Sequence, residues 1–438
     1  MQSFQAQYQD KRIAPEEGLN FVPEGGNLIL AMGVAQPPAL IEGLAKALSE
    51  SSRPALPVYY MHGSQALSDH LLVPSLAGKI IPRPLFLSKH DRDGSHHFAD
   101  PHILEFVPAA FHQVGRLLTE QINPDCFMAT VSPMDRHGYF SLGTNPDYGA
   151  SVVRKASKVI VEVNPQMPRT FGECSVHISE VHGIIENDQP LAEVPVHVPN
   201  ATDLAIAERI LEHINDGDTL QMGVGGVPNA VLNQLHGHND LGLHSELFSP
   251  AMVDLIKRGV INGRRKYWMQ HRHVFTLALG NRELYDFLDD NPSVLGYPAS
   301  WVNNPIIIAK NPNMVSVNAA LEVDLTGQIN AEQIDGAPFS GTGGQLDFVR
   351  GAYASRGGRS FIALHATAKN DTISKIVPQL RGGVVTDTRM DTQYVVTEFG
   401  CVNLKGLSLP NRSRALIGIA HPDFRAELEE QAKTLGLI

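Results

Sequence analysis

Two patterns of apolar positions alternate along the chain. KVIVEVN (158–164), SFIALHAT (360–367) and QYVVTEFG (393–400) have strand length and are nearly continuously apolar, which predicts strands buried on both faces. Between such runs lie helical stretches, among them AMVDLIKRG (251–259), LDFVRGAYA (346–354) and DFRAELEEQAKTL (423–435). Leu204, Ala207, Ile210, Leu211 and Ile214 recur at helical spacing and predict one more, with those residues on its buried face. Strands alternating with helices predict the α/β class, with mostly parallel sheets flanked by helices.

The pattern also repeats. VPEGGNLILAMGVAQPPALIEGL (22–44) aligns without gaps on HINDGDTLQMGVGGVPNAVLNQL (213–235), pairing Gly26 with Gly217, Pro37 with Pro228, Ala39 with Ala230 and Leu44 with Leu235. Each copy reads as a glycine turn, a short strand, a small-residue loop and a helix with proline in its first turn. The offset of 191 positions is domain-sized. A chain of 438 residues is also too long for one ordinary core. The polar, proline-bearing segment ENDQPLAEVPVHVPNATDL (186–204) reads as the crossover between the halves. The expectation is therefore two duplicated open α/β/α domains, at 1–190 and 200–438.

In such a sheet, ligands gather at the carboxyl ends of strands. LGLHSELFSPAMVDLIKRG (241–259) reads as a strand ending near His244, then Glu246, then a helix with Ser249 as N-cap, Pro250 in its first turn and Gly259 closing it. A carboxylate between strand end and helix start would feel the positive pole of the helix dipole and stay ionised and nucleophilic. Taken alone, the position more often marks a carboxylate that only caps or ion-pairs, since most acidic residues are structural. Two glycine-rich loops add weight: Gly223-Val224-Gly225-Gly226-Val227, and Ser340-Gly341-Thr342-Gly343-Gly344-Gln345. Such loops let a ligand approach closely and present N–H groups to phosphate or a developing oxyanion. Neither carries the lysine of a Walker loop nor the dinucleotide fingerprint, so ATP and NAD are unsupported.

Composition narrows the field. A net charge of −11 repels nucleic acid and anionic lipid. The opening MQSFQAQYQDKR lacks the apolar core of a signal peptide and no run has membrane-spanning length, which predicts a cytoplasmic protein. Cys126, Cys174 and Cys401 form no C-x-x-C pair and read as buried thiols. The histidine clusters His96-His97 with Asp100 and His102, His236 with His238, and His271 with His273 lack metalloenzyme spacing and read as solvated loop residues, so no metal is expected. Arg264, Arg265 and Lys266 read as a solvated basic face.

Seven segments in order, VNPQMPRTFG, MGVGGVPNAV, GLHSELFSP, ALGNRELYDF, VNAALEVDLTGQ, SGTGGQLDFVRGA and VVTEFGCVNLKG, resemble the acetyl-CoA hydrolase/transferase family over nearly the full length, nearest its 4-hydroxybutyrate and butyryl-CoA:acetate CoA-transferases. The resemblance implies a CoA-transferase fold of the NagB/RpiA-like kind, acyl-CoA and small carboxylate substrates, and Glu246 as a nucleophile that carries CoA as a glutamyl thioester. It implies CoA contacts at Gly223, Val224, Gly225, Gly226, Val227, Leu321, Gly344 and Lys369, with backbone amides near Val227 and Gly344 as oxyanion donors. Asn318, Gly341, Gly343 and Glu398 would shape the site. Ser245, Leu247 and Pro250 around the glutamate, and Lys405 where arginine is usual, depart from the family pattern and bear on acyl specificity. A hydrolase using the same glutamate, and a non-catalytic or sugar-phosphate-binding protein on the same fold, stay open as alternatives. A homo-oligomer is expected, as for most soluble enzymes.

Overall fold

The computed structural model describes residues 3–96, 103–195, 198–223 and 225–438. The chain divides into two compact units, one formed by residues 1–195 with 274–302, the other by 196–273 with 303–438.

The first unit is built on a six-stranded sheet of β1 (Leu28–Leu30), β2 (Leu56–Tyr60), β3 (Ile80–Pro84), β4 (Cys126–Val131), β5 (Lys158–Val163) and β6 (Gly183–Glu186). The spatial order is β3-β2-β1-β4-β5-β6, parallel throughout. Leu28 and Leu30, Leu56, Val58 and Tyr60, and Cys126 and Met128 turn one face toward helix α1 (Pro38–Glu50). That helix answers with Leu40, Ile41, Leu44 and Leu48, spaced to share one stripe. Burying each such side chain contributes about 1.5–3 kcal/mol.

The second unit repeats the plan with β7 (Thr219–Met222), β8 (Gly242–Leu243), β9 (Met314–Ala319), β10 (Arg359–Ala363), β11 (Tyr394–Thr397) and β12 (Gly400–Asn403), in the order β8-β7-β9-β10-β11-β12. All pairs are parallel except the closing hairpin β11–β12. Helices α2 (Ala201–Leu211), α3 (Gly226–Asn233), α4 (Pro250–Lys257) and α5 (Gln345–Ala354) belong to this unit. Strand order reverses between β1 and β4 in one sheet and between β7 and β9 in the other. The crevice beyond the carboxyl ends at such a reversal is where an open α/β sheet binds ligands. The two repeats supply β1 with α1 and β7 with α3, so each leads into its own reversal.

The α/β architecture agrees with the apolar pattern, and each of the three strand segments named from sequence contains a sheet strand. One helix is rotated from expectation. In α2 the buried face carries Asp203, Ile206, Ala207 and Ile210, while Leu204 is 40% exposed. The stripe turns because Asp203 is drawn inward by polar partners described below. Cys126 and Cys174 are buried and Cys401 half-buried, all as free thiols. Among the described residues no helix is long and apolar enough to cross a membrane.

Asp147 of the first unit is fully buried, accepting hydrogen bonds from Tyr148 N (2.6 Å), Gly149 N (3.3 Å) and Asn145 Nδ2 (3.0 Å). Desolvation outweighs these donors and pushes its pKa up to about 7. The folded chain thus holds a proton that the unfolded chain releases near pH 4, and this contribution to stability is complete below that pH and lost as pH rises to about 7. Thermal melts between about pH 5 and 7.5 are expected to show a falling melting temperature, and Asp147→Asn to flatten part of that slope; the loss over that window is on the order of 3 kcal/mol.

Candidate active site

Five neighbouring strands of the second sheet send their chain toward one edge. After β7 the backbone turns at Gly223, whose N–H donates to Val317 O on β9 (2.9 Å). A side chain here would press on Val317 O (3.2 Å) and Asn318 Oδ1 (3.3 Å). Gly225 takes φ +117°, a left-handed conformation that favours glycine, and α3 starts at Gly226. A side chain on Gly226 would overlap the Asp203 carboxylate, which also pairs with His365 Nε2 (2.8 Å). This contact explains the inward turn of Asp203. Val227 is buried, and Val224 lies outside the described residues. Across the reversal, Asn318 Nδ2 donates to Gln221 Oε1 (3.1 Å) and Gln221 Nε2 to Asn318 Oδ1 (3.2 Å), a reciprocal amide clasp between β9 and β7.

On the other side of β7, His244 N donates to Leu220 O (3.1 Å) as β8 ends, and Ser245 and Glu246 follow. The sequence pattern put Glu246 between a strand end and a helix capped by Ser249, and it lies there. The short strand Leu247–Phe248 follows it before α4. Ser249 does hold the N-cap position and Gly259 the closing left-handed one (φ +77°), but Ser249 makes no side-chain cap bond. Asn303 and Gly344 are among the groups against the Glu246 carboxylate. Asn303 Nδ2 donates to Glu246 Oε2 at 2.5 Å, and Asn303 is fully buried. A methyl group on Gly344 would overlap both Glu246 Oε2 and Asn303 Nδ2.

The second glycine loop delivers Gly344. Gly341 and Gly343 are buried, and Gly343 takes φ +53°. Gly344 is the N-cap of α5, and Gln345, the next residue, donates from Nε2 to Asp387 Oδ2 (2.6 Å). Beyond β11, Glu398 Oε2 accepts Ala366 N (2.9 Å), which fixes the chain leaving β10. Leu321, after β9, donates its N–H to Asn330 O (2.9 Å). Lys369 lies exposed between the paired strands Thr367–Ala368 and Ile373–Ser374, with Lys369, Asn370 and Asp371 all at positive φ. Contacts thus join Glu246 to Gly344 and Gly223 to Asn318, whereas Leu321 and Lys369 are held in hairpins of their own.

Two readings of surface groups are corrected. Lys266 is 2% exposed, its Nζ donating to Leu243 O (3.0 Å) and Arg272 O (3.0 Å), and desolvation lowers its pKa to about 7. His273 is 3% exposed, and burial, Lys266 and Arg272 lower its pKa to about 4. Both are interior residues; Arg264, Arg265 and His271 are exposed. Of the first histidine cluster, His97, Asp100 and His102 lie outside the described residues. Among the described residues no group of three or more His, Cys, Asp or Glu is arranged to hold a metal.

Asn303 escaped the sequence reading. Its signal was the pair Asn303-Asn304 before Pro305: one asparagine suffices to cap the short helix Pro305–Ile308, and Asn304 does so by accepting Ile306 N (3.0 Å). The other was left to find a different partner.

A carboxylate between an amide donor and a glycine turn, beyond the carboxyl end of an edge strand of a parallel sheet, suits acyl transfer. Comparison with known proteins agrees. The chain matches the acetyl-CoA hydrolase/transferase N-terminal domain over residues 1–195 and the C-terminal domain over residues 280–432. The succinyl-CoA:cyclohexane-1-carboxylate CoA transferase of Geobacter metallireducens is 42% identical, over 100% of this chain and 98% of its own. The 4-hydroxybutyrate coenzyme A transferase of Clostridium kluyveri is 36% identical, over 97% of this chain and 98% of its own. The crystal structure of RipA from Yersinia pestis matches with a TM-score of 0.96 at 45% identity, over 100% of both chains. This chain belongs to the acetyl-CoA hydrolase/transferase family.

Gly344→Ala places a methyl group on the Glu246 carboxylate and its amide partner. The expected result is a loss of turnover of about 10²-fold or more with the circular dichroism spectrum unchanged, measured by acyl-CoA consumption.

Proposed function

We propose that this protein is a CoA-transferase that exchanges CoA between a short-chain acyl-CoA and a small carboxylate through a thioester on Glu246. The observation that carries the reading is the Glu246 carboxylate held by Asn303 and faced by Gly344. The transferases named above support the overall reaction. They act on succinyl-CoA with cyclohexane-1-carboxylate, or on 4-hydroxybutyrate, and this chain's acids are drawn from the same class, butyrate and acetate included.

In the proposed sequence, a Glu246 oxygen attacks the thioester carbonyl of the bound acyl-CoA; the C–S bond breaks and gives a mixed anhydride and the CoA thiolate. That thiolate then attacks the glutamyl carbonyl, breaking the anhydride to release the first acid as a carboxylate and leaving Glu246 as its CoA thioester. An incoming carboxylate reverses the two steps. Asn303 Nδ2, already on Oε2, is placed to donate to the oxygen that bears charge when the glutamyl carbonyl is attacked. The Gly344 and Val227 amides are assigned as further oxyanion donors, and Gly223 to Val227, Leu321 and Lys369 as the CoA-binding edge. Asn318 and Glu398 support that edge through their bonds to Gln221 and Ala366. One thioester replaces another, so the exchange is close to isoenergetic and calls for no nucleotide. We further propose a cytoplasmic enzyme assembled as a closed homo-oligomer, the assembly to be checked by light scattering.

Intact-protein mass spectrometry after incubation with acetyl-CoA is expected to show a gain of CoA less water. Borohydride should remove it, and peptide mapping should place it on Glu246. Glu246→Ala should carry no adduct and lose more than about 10³-fold in kcat/KM while still binding CoA. Turnover by a wild-type protein that never carries the adduct would remove Glu246 from this role. Acyl release that does not respond to added carboxylate would favour the hydrolase.

A further inference from the structure

Asp387 has no part in the chemistry above, yet it is fully buried and bonded to the residue that follows Gly344. Its backbone is pinned on both sides, its N–H donating to Ile329 O (3.3 Å) and its carbonyl accepting Ile329 N (3.0 Å). The side chain is thereby a fixed post. Oδ2 accepts Gln345 Nε2 at 2.6 Å, while Oδ1 is buried without a hydrogen-bond partner. Gln345 is the first residue of α5, so its tether acts directly on the Gly343–Gly344 turn.

A carboxylate is a poor choice for a purely structural tether. An asparagine has the same shape, offers the same acceptor to Gln345 and avoids burying a charge with one oxygen unmatched. The charged groups facing Asp387 do not remove that cost. Asp391, on the same segment, and Glu332 oppose its ionisation; Arg350 of α5 favours it but is itself engaged by Asp391 in a two-pronged ion pair (2.9 and 3.0 Å). Desolvation is the largest influence, and together they push its pKa up to about 7. A residue that is costly to the fold and tied to the residue after Gly344 is a candidate for a functional role.

We propose that Asp387 is a positioning residue that, through Gln345, sets the Gly343–Gly344 turn against Glu246, and that it does so more firmly as a carboxylate than as an acid. The proposal rests on the reading of Glu246 as the nucleophile. A hydrogen bond to an ionised acceptor is roughly twice as strong as one to a neutral acceptor. As pH rises through about 7 the Gln345 tether therefore tightens, and the acyl transfer that depends on the turn should accelerate. Fold stability should move the other way, since the folded state gives up the proton it holds in excess of the unfolded chain over the window below about 7.

The test uses the full-length protein with acetyl-CoA between about pH 5.5 and 8.5, following single-turnover adduct formation and steady-state kcat and KM. Wild type should rise with an inflection near 7. Asp387→Asn should lose the inflection and run about fivefold or more below wild type at pH 8, with KM for acetyl-CoA within about twofold and a melting temperature at pH 8 no lower than wild type. Gln345→Leu should show the same loss of rate and of inflection. An Asp387→Asn protein with the wild-type rate and inflection overturns the proposal. So does one whose loss of rate comes with a raised KM and a lower melting temperature, because that is the signature of a merely structural residue. If wild type turns over without any adduct on Glu246, the covalent reading fails instead, and the pH profiles of kcat in the two variants still decide the role of Asp387.

Discussion

The tightest constraint in the second unit is the absence of room beside Glu246. The carboxylate, the Asn303 amide and the α-carbon of Gly344 meet so closely that the smallest side chain at position 344 is excluded. Three separate stretches of chain must therefore arrive at one point with little tolerance. Each is delivered by a different device: the end of β8 for Glu246, the turn before the capped helix Pro305–Ile308 for Asn303, and the glycine turn leading into α5 for Gly344. A reacting carboxyl gains from this arrangement because donors fixed in advance need no reorganisation when charge develops.

Strand order decides where those devices can converge. The βα unit occurs twice, and both copies lead into a reversal of strand order, yet the loops at the two reversals differ. In the second copy the loop runs Gly225-Gly226-Val227, and Gly226 leaves space that the Asp203 carboxylate, paired with His365, occupies. In the first copy, Gln36 stands at the position aligned with Val227, and its Oε1 accepts the N–H of Ser64, which ties the loop to the chain leaving β2. The duplicated fold supplies two equivalent edges; side chains at a few loop positions make them chemically distinct.

How much of this was legible in the sequence follows from what each residue responds to. The sheet strands and flanking helices were visible because buried parallel strands are apolar throughout, a local property. Glu246 and the glycine loops were visible because turn chemistry and nearness to a strand end are local too. Lys266 was misread for the same reason: next to two arginines it looks solvated, and only the fold reveals that its stem runs past Gly242 into the interior. Asp203 rotated the expected face of α2 because its partners, Gly226 and His365, lie 23 and 162 positions away. Asn303 and Asp387 were missed because their roles rest on Glu246 and Gln345, 57 and 42 positions distant, and no periodicity encodes such pairs.

Lys266 also resolves a mechanical difficulty. Glu246 follows a strand of only two residues at the sheet's edge, paired to β7 through Thr219↔Gly242 and Leu220↔Leu243. An edge position leaves Glu246 on the side of the sheet with no further strand, but so short a ladder is a weak mount. The bonds from Gly242 N to Asp218 O (2.8 Å) and from His244 N to Leu220 O (3.1 Å) extend it by one step each way. Lys266 adds a clamp from the other side: Nζ holds Leu243 O, three residues before Glu246, together with Arg272 O. Gly242 is what admits the lysine, since a side chain there would meet the Lys266 Cγ at 2.7 Å. Neutral backbone carbonyls are modest compensation for a buried ammonium, which is why its proton is held so loosely. The second unit thus accepts two poorly compensated buried groups, Lys266 behind Glu246 and Asp387 behind Gly344, and each steadies one side of the contact that leaves no room for a side chain.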